Sequence, residues 1–361
     1  MSGRETLLAI LELARWAPSG DNSQPWTFRI AADDRIEITG TDHADTDVYD
    51  FDGRPTLLTL GFLLETMAIA ASKFGARIEW TYRLQAPHVH RIDVTVTQAA
   101  GMAPDALLPY VEMRSVERGR YRSDPLTAAQ QESLRSGLGD RLQVRWLASR
   151  AEKWQASRVN ARATHIRLSI PEAFTVHQRI LDWKRDESPD GVPAKAIGLS
   201  PMTLGSMQWV MQKWERAHFM NRFAGGTMVP RLEMDLMPGM MCAAHFMVFQ
   251  PSGEATQGLP QQFLENGRAL QRFWLTASAL GLVMQPSLAP LCFSYYAQKK
   301  QPFTGDATMR ANAVALDAEL QILQKQFSTD ELVFMGRIGV PTSTGRRPRS
   351  IRKPLSTLLT T

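Results

Sequence analysis

Residues 14–30 read ARWAPSGDNSQPWTFRI and join the end of one helix to the start of one strand. Pro18 ends the helix, because proline cannot continue it and also restricts the residue before it. The turn that follows presents two small polar side chains, Ser19 and Asn22, with Gly20 between them. Pro18 and Gly20 allow a ligand to come close to the backbone here. The turn is therefore the first candidate binding element of the chain.

The alternation of helix and strand continues to about residue 100. TFRIAADDRIEI (27–38) predicts a hairpin, and residues 55–75 predict a strongly apolar helix. ARIEWTYRL (76–84) and HRIDVTVT (90–97) predict two further strands. The first part of the chain therefore reads α-β-β-α-β-β.

The rest of the chain mixes helices with two buried strands. We expect helices at 125–138, 151–169, 171–184 and 265–280, and strands at 240–249 and 331–340. Residues 200–241 contain nine methionines among several Trp and Phe residues. Because methionine fits irregular shapes, this segment predicts either a packed pair of core helices or a lid over an apolar substrate.

Composition indicates an ordinary globular protein. The 361 residues are 44% hydrophobic and 21% charged, and no continuous apolar run reaches the roughly 18 residues of a membrane span. Two cysteines do not make a disulfide framework, and seven scattered histidines show no metal-ligand spacing. We therefore expect a cytoplasmic protein that binds neither a membrane nor a metal ion. His177 and His245 stand in apolar surroundings and are expected to be core residues.

Basic residues concentrate in RSVERGRYR (114–122) and GRRPRSIRK (345–353). Such clusters bind nucleic acid, a membrane surface or a phosphorylated ligand, or they simply form a solvated surface. The tail lacks the interleaved aromatic residues that bind single-stranded nucleic acid, so we expect no nucleic-acid partner.

Two helical segments look alike. GFLLETMAIAASKFG (61–75) aligns without gaps with GRALQRFWLTASALG (267–281), and both begin and end with glycine. Five of fifteen positions match, which two unrelated apolar helices could also show. The identical glycine spacing favours an internal duplication. A duplicated chain would hold in one polypeptide what a homodimer holds in two.

Four segments resemble the FMN-dependent nitroreductase superfamily. LELARWAPSGDNSQPWTF (11–28) resembles its APS-x-x-N-x-QPW turn, and MRSVERGRY (113–121) resembles its R-S-x-x-R segment. GLVMQPSLAPL (281–291) is similar to the segment that passes the flavin, and residues 335–359 are similar to the C-terminal strand and basic tail. The resemblance is weakest over residues 140–240.

The order of these segments resembles the fused, two-lobed branch of the superfamily, which includes the Acg-like proteins. The N-terminal part has the APS-x-x-N turn but no R-S-x-x-R segment, and the later part has the reverse. The resemblance implies an α+β, nitroreductase-like fold of two tandem lobes, each a mainly antiparallel sheet flanked by helices. The lobes, residues 1–103 and 104–361, would form an intramolecular pseudo-dimer. One complete FMN site would be shared between them.

The resemblance also implies the site residues. The FMN phosphate needs fixed cations, which arginine supplies as a planar, permanently charged fork. The phosphate candidates are Arg114, Ser115 and Arg118 with one or more of Arg346, Arg347, Arg349 and Arg352. The candidates for the isoalloxazine ring are Pro18, Ser19, Gly20 and Asn22 on one side and Gln285, Pro286, Ser287 and Leu288 on the other. Alternatively, Ser19 and Asn22 only hold their own turn, and the tail arginines are a solvated basic end.

The implied function is an oxidoreductase that carries electrons from NAD(P)H or another donor through FMN to a small organic acceptor. The cofactor carries the chemistry, so no catalytic side chain is expected. The alternative is a flavin-binding or storage protein whose methionine-rich lid excludes NAD(P)H. A monomeric pseudo-dimer or a weak homodimer is expected.

Overall fold

The computed structural model of the chain describes residues 3–252, 258–327, 329–342, 345 and 347–360. It is an α+β protein in which helices pack against two antiparallel sheets. The expected mixture of helices and antiparallel sheets is therefore confirmed.

The first half has the predicted order of elements. These are α1 (Gly3–Ala14), β1 (Trp26–Ala32), β2 (Arg35–Thr41), α2 (Arg54–Ser72), β3 (Ala76–Ala86) and β4 (Val89–Gln98). Residues in β1 alternate as expected, with Trp26 and Phe28 buried on the inner face. The strands form one antiparallel sheet in the order β1-β2-β4-β3.

The rest of the chain, from β5 onward, is called the second half here; it is longer than the first half (α1 to β4) and carries a helical insertion. Its elements begin with β5 (Tyr121–Arg122), α3 (Ala128–Leu138), β6 (Gln143–Leu147), α4 (Arg150–Ser169), α5 (Pro171–Ile180), β7 (Leu181–Asp182), β8 (Glu187–Ser188), β9 (Val192–Pro193), α6 (Pro201–Val210), α7 (Trp214–Phe223), α8 (Met228–Arg231), a π-helix (Leu232–Leu236) and α9 (Met237–Met241). They continue with β10 (Ala244–Gln250), α10 (Leu259–Ala279), β11 (Val283–Pro286), α11 (Leu288–Lys299), α12 (Ala307–Gln324), β12 (Glu331–Pro341), β13 (Arg349–Ser350) and α13 (Leu355–Leu358).

Two predicted helix boundaries are wrong. The helix expected to reach residue 184 ends at Ile180, because Leu181–Asp182 pairs with Val192–Pro193 as a short parallel ladder. The helix expected from residue 265 begins at Leu259, where a proline occupies its first turn without needing an amide hydrogen.

The larger sheet repeats the topology of the smaller one. Its strands run β6-β10-β12-β11, all antiparallel, with β5 added at the end of β12. In each sheet a helix precedes the first strand, and a long helix (α2 or α10) joins the second strand to the third in sequence. The insertion α4–α9 lies between β6 and β10, and α11–α12 lies between β11 and β12.

The two long helices α2 and α10 cross where Gly61 meets Gly267. A Cβ on Gly61 would lie 2.1 Å from the Leu264 carbonyl oxygen, and a Cβ on Gly267 would lie 2.2 Å from the Leu58 carbonyl oxygen. The contact is reciprocal, since Leu58 and Leu264 each precede their glycine by three residues. Only glycine permits backbones to approach this closely. These are the glycines that open the two similar segments.

One hydrophobic cluster contains residues of both halves. It includes Leu11, Phe28 and Leu64 from the first half and Phe246 and Phe273 from the second. The two halves therefore share a core.

Helix α2 lies at the centre of the molecule. The segment Phe51–Ser72 is long and apolar enough to span a membrane by length and composition, but 89% of its most apolar window is buried in the protein. Such burial is typical of a core helix, since the apolar side chains are already packed against protein.

Candidate functional site

A cavity of about 690 Å³ lies between the two halves. Four segments that are far apart in sequence line it. The predicted site residues on its wall are Pro18, Ser19, Gly20, Asn22, Arg114, Ser115, Arg118, Gln285, Pro286, Ser287, Leu288, Arg349 and Arg352. A volume of this size is typical of small-molecule pockets, which range over about 300–1,000 Å³.

One of the described tail arginines, Arg347, is not on the cavity wall. Arg347 forms an ion pair with Glu117, and its guanidinium does not line the cavity. Arg346 lies outside the described residues. Of the three tail candidates that the structure describes, Arg349 and Arg352 are therefore the two that line the pocket.

The turn after α1 has an unusual backbone. Asp21, Asn22 and Gln24 all adopt left-handed φ values, of 52°, 59° and 52°. Such conformations are costly for residues with side chains and persist only where surrounding contacts enforce them. The side chain of Gln24 supplies several of these contacts. Its Nε2 donates to the Asn22 and Pro189 carbonyls, and its Oε1 accepts from the backbone amide of Lys353.

The side chains of Ser19 and Asn22 form hydrogen bonds with other groups of the protein. Ser19 Oγ accepts a hydrogen bond from the backbone N–H of Gln24 at 3.0 Å. Asn22 Nδ2 donates to the Ile351 carbonyl at 3.0 Å, and its Oδ1 accepts from Arg352 Nη1 at 2.8 Å. This engagement favours the alternative in which Ser19 and Asn22 hold the turn, and it leaves the backbone of the turn to face the cavity.

Arg352 fastens the C-terminal tail to this turn. It is 7% exposed and also donates to the Ala17 carbonyl at 2.9 Å and the Trp16 carbonyl at 3.3 Å. Burial, together with the nearby charges of Arg349 and Arg15, lowers the pKa of Arg352 to about 9. Its hydrogen bonds to these two carbonyls and to Asn22 offset part of this cost.

Arg114 and Arg349 complete a group of three arginines around Trp16, which we call the arginine cluster. Arg114 is 4% exposed, donates to the Trp16 carbonyl at 3.3 Å and stacks 4.6 Å from the Trp274 ring. Arg349 donates to the Glu112 carbonyl at 2.7 Å. The Nε atoms of Arg114 and Arg349 are buried without a partner.

The arginine cluster carries uncompensated positive charge. Within the described part of the chain, none of its three members forms an ion pair with a carboxylate. Burial lowers the pKa of Arg349, and the nearby carboxylates of Glu187 and Glu112 offset this only in part. Burial lowers the pKa of Arg114 well below its usual value, and Arg352 and Arg349 lower it further. Mutually repelling buried cations beside a cavity favour the binding of an anion.

Arg118 lies among different neighbours from Arg114. Its pKa is lowered by burial and by Arg167 and Arg337, and raised by Asp21. The arginine cluster is absent from this set of neighbours. Both arginines of the R-S-x-x-R segment line the cavity, but the charged groups that act on them differ.

The R-S-x-x-R segment reaches the cavity by pairing with β11. Val116 forms a parallel bridge with Met284, and the Glu117 amide donates to the Met284 carbonyl at 3.1 Å. This pairing brings Ser115 beside Gln285 on the wall of the cavity. The Gln285 Oε1 atom is buried without a partner.

The far end of the cavity was not predicted from the sequence. It is lined by the 43–50 loop, by α4 and α5 and by the π-helix of the insertion, and its polar groups include Tyr49, Thr164, Arg167, His177 and Asp235. The Tyr49 hydroxyl lies 2.9 Å from His177 Nε2. His177 is buried as expected, but it also lines the cavity.

His177 and His245 are both neutral near physiological pH. Burial, with Arg167 nearby, lowers the pKa of His177 to about 3, and burial with Arg337 lowers that of His245 to about 3. His245 lies in β10, where its Nε2 contacts the Gly239 carbonyl at 3.0 Å, so it is the core residue that was expected. Burial also raises the pKa of Tyr49 well above its usual value.

The methionine-rich segment forms part of the wall. Met207, Pro230 and Met234 line the cavity. The opposite side of the segment is apolar and exposed, at Met202, Trp209, Phe219, Phe223, Met228, Val229, Leu232, Met237 and Met241. The segment therefore combines a pocket wall with an outer apolar face, rather than forming a fully packed pair of core helices.

Aromatic side chains line the cavity near the arginine cluster. They are Phe62 on α2, Trp274 on α10 and Phe334 on β12. Phe62 contacts both of the others edge to face, with ring centroids 6.3 Å apart. Among the residues that the structure describes, no group of three or more His, Cys, Asp or Glu side chains could hold a metal ion.

The comparisons with known proteins are sparse. No family model matches the chain, and no curated protein matches it. One matching solved structure is the FMN-dependent nitroreductase NfnB from Mycobacterium smegmatis in complex with NADPH, at 14% identity. The match covers 69% of this chain and 94% of that chain, with a TM-score of 0.33.

Proposed function

We propose that this protein is an FMN-dependent oxidoreductase of the nitroreductase type, with one FMN site shared between its halves. The observation that carries the proposal is the single cavity lined by 18–22, 114–118, 285–288 and 349–352. The resemblance assigns these four segments to FMN, and they are far apart in the sequence.

The arginine cluster fits a phosphate. The FMN phosphate carries close to two negative charges and offers several acceptor oxygens. Arg114 and Arg349 have buried Nε donors without a partner, and the charge of Arg352 adds to theirs. We assign the phosphate to Arg114 and Arg349, with Arg352 holding the tail in place. Arg118, which lies elsewhere, would face the ring or the ribityl chain.

The neighbouring wall fits a flat ring system. Phe62, Trp274 and Phe334 supply apolar faces, while Gln285 Oε1 and the backbone of the turn at Gly20 supply polar groups. Alternating polar groups at the edge of an apolar slot are what an isoalloxazine ring requires. A bound FMN would supply two-electron transfer, as flavins do.

The residues of this chain would position the ring and exclude water. Tyr49 and His177 remain neutral, so they can contribute hydrogen bonds at the far end of the cavity without adding charge. NADH, NADPH or another reductant would donate electrons, and a small organic acceptor would occupy the space beyond the ring.

We further propose that residues 1–103 and 104–361 are tandem lobes of a duplicated chain in the fused, Acg-like branch. The matching strand orders and the reciprocal crossing at Gly61 and Gly267 support this proposal. A duplicated chain needs no partner subunit, which favours a monomer or a weak homodimer in the cytoplasm.

A second function is favoured by one observation. Met207, Pro230 and Met234 of the methionine-rich segment line the cavity, where they could cover a flavin and exclude NAD(P)H. The protein would then bind or store flavin with little turnover.

Anaerobic stopped-flow reduction distinguishes the two functions. The purified yellow protein is mixed with NADH or NADPH while flavin absorbance is followed. We expect at least one nicotinamide to bleach the flavin within seconds. Bleaching over hours, with free FMN as the control, would contradict the reductase and favour storage. A colourless protein that added FMN does not restore would contradict both.

A further inference from the structure

Arg167 is a cation at the far end of the cavity that the proposed FMN site does not use. It projects from α4, and its Nε donates to Thr164 Oγ1 at 3.2 Å. Its Nη2 lies 4.0 Å from the Met234 sulfur, which is a weak acceptor. In the described ranges of the chain it forms no ion pair. Its guanidinium lines the cavity and keeps donors available for a ligand.

Three carboxyl groups lie near Arg167, and none cancels its charge by direct contact. Asp47 is paired with Arg179 at 2.8 Å. The Oδ2 atom of Asp235 is buried without a partner, so its charged form is disfavoured, and burial raises its pKa. Burial and the charge of Asp47 raise the pKa of Asp21.

The remaining neighbours of Arg167 are neutral or positive. Tyr49 and His177 form a neutral hydrogen-bonded pair, and Arg118 adds a second positive charge. Apolar contacts come from Met207, Pro230 and Met234 of the insertion. This end of the cavity thus combines an available guanidinium with an apolar wall and a hydroxyl group.

We propose that Arg167 binds a carboxylate on the acceptor, so that the protein acts on small anionic organic compounds. The planar guanidinium fork matches the two oxygens of a carboxylate, and a charge-assisted pair in a water-poor pocket discriminates strongly against a neutral analogue. The inference rests on the proposed function for the identity of the ligand as an acceptor. Binding at Arg167 itself requires no electron transfer.

Two matched probes test the proposal. 4-Nitrobenzoate and 4-nitrobenzamide carry the same reducible group and differ in the charge of the other substituent. Isothermal titration calorimetry on the purified full-length protein should give about tenfold or more tighter binding for 4-nitrobenzoate. In the holoenzyme, kcat/KM should show a preference in the same direction. Equal affinities for the two probes would overturn the proposal.

Variants on α4 assign the preference to one residue. Arg167→Gln should reduce the affinity ratio to near one. Arg158→Gln, on the same helix but paired with Glu319 outside this cavity, should leave the ratio unchanged. Arg167→Lys keeps the charge and should keep a smaller preference in the same direction. A ratio that survives Arg167→Gln, or that disappears in Arg167→Lys, would contradict the assignment.

A third probe, which carries a positive charge, tests whether acidic residues bind the ligand instead of Arg167. 4-Nitrobenzylamine would bind more tightly than 4-nitrobenzamide if Asp21 and Asp235 were the ligand-binding groups, and that result would overturn the proposal. Failure of the proposed function would instead appear as a protein that binds no FMN. The calorimetric comparison of the probes can still be made on such a protein, so the two failures are distinguishable.

Discussion

Gly61→Ala is expected to destabilise the protein by about 3 kcal/mol, at the upper end of the usual overpacking cost. The new Cβ would lie 2.1 Å from the Leu264 carbonyl oxygen and 2.8 Å from the Gly267 Cα. Both are backbone atoms, so the clash cannot be relieved by a side-chain rotation. Helices α2 and α10 would have to separate, and the core shared by the two halves would loosen. Urea unfolding followed by circular dichroism measures the change.

Gly205→Ala is the matched control. Gly205 lies in the exposed helix α6, and a Cβ there meets no atom within 4 Å. Alanine should therefore stabilise this helix by up to about 1 kcal/mol through its higher helix propensity. If Gly61→Ala lowered the free energy of unfolding no more than Gly205→Ala, that result would contradict the close crossing of the two helices.

Arg352→Met is expected to cost about 3 kcal/mol of unfolding free energy and to weaken FMN binding at least tenfold, because several buried charge-assisted hydrogen bonds are lost together. The substitution leaves the carbonyls of Trp16 and Ala17 and the amide oxygen of Asn22 without this donor. The tail would detach from the turn and carry Arg349 away from the arginine cluster. Denaturant unfolding and FMN fluorescence titration report the two effects.

Lys353→Met is the matched control, because it also removes one positive charge from the tail but leaves the hydrogen bonds of Arg352 in place. Lys353 lies next to Arg352, but its Nζ contacts the Ser23 carbonyl and Asp190 at the surface, each at 3.2 Å. Surface pairs of this kind contribute at most about 1 kcal/mol. Equal effects of the two substitutions on stability and FMN affinity would show that Arg352 does not fasten the tail.

Local patterns predicted the first sheet and the two similar helices. The alternation around Phe28 specifies β1, because one face of the strand must be buried. The glycine-to-glycine spacing singled out Gly61 and Gly267, which lie at the helix crossing. These features depend on residues close together in the sequence.

Roles that depend on distant partners were harder to predict. Asn22 was a candidate for binding the ligand through its side-chain amide. That amide instead forms hydrogen bonds with Arg352 and the Ile351 carbonyl, some 330 residues away. Arg167 and Tyr49 belong to no motif, and only the packing of α4 against the 43–50 loop region brings them to one cavity. The charged groups that act on Arg118 also differ from those that act on Arg114, although the resemblance treated the two as one phosphate-binding pair.

The FMN content of the purified protein tests the central claim most directly. The protein is saturated with FMN, freed of unbound cofactor and denatured, and the released flavin is measured against the chain concentration. One FMN per chain, independent of protein concentration, is the result expected for a single site divided between the two halves. Two FMN per chain, or none after saturation, would contradict it.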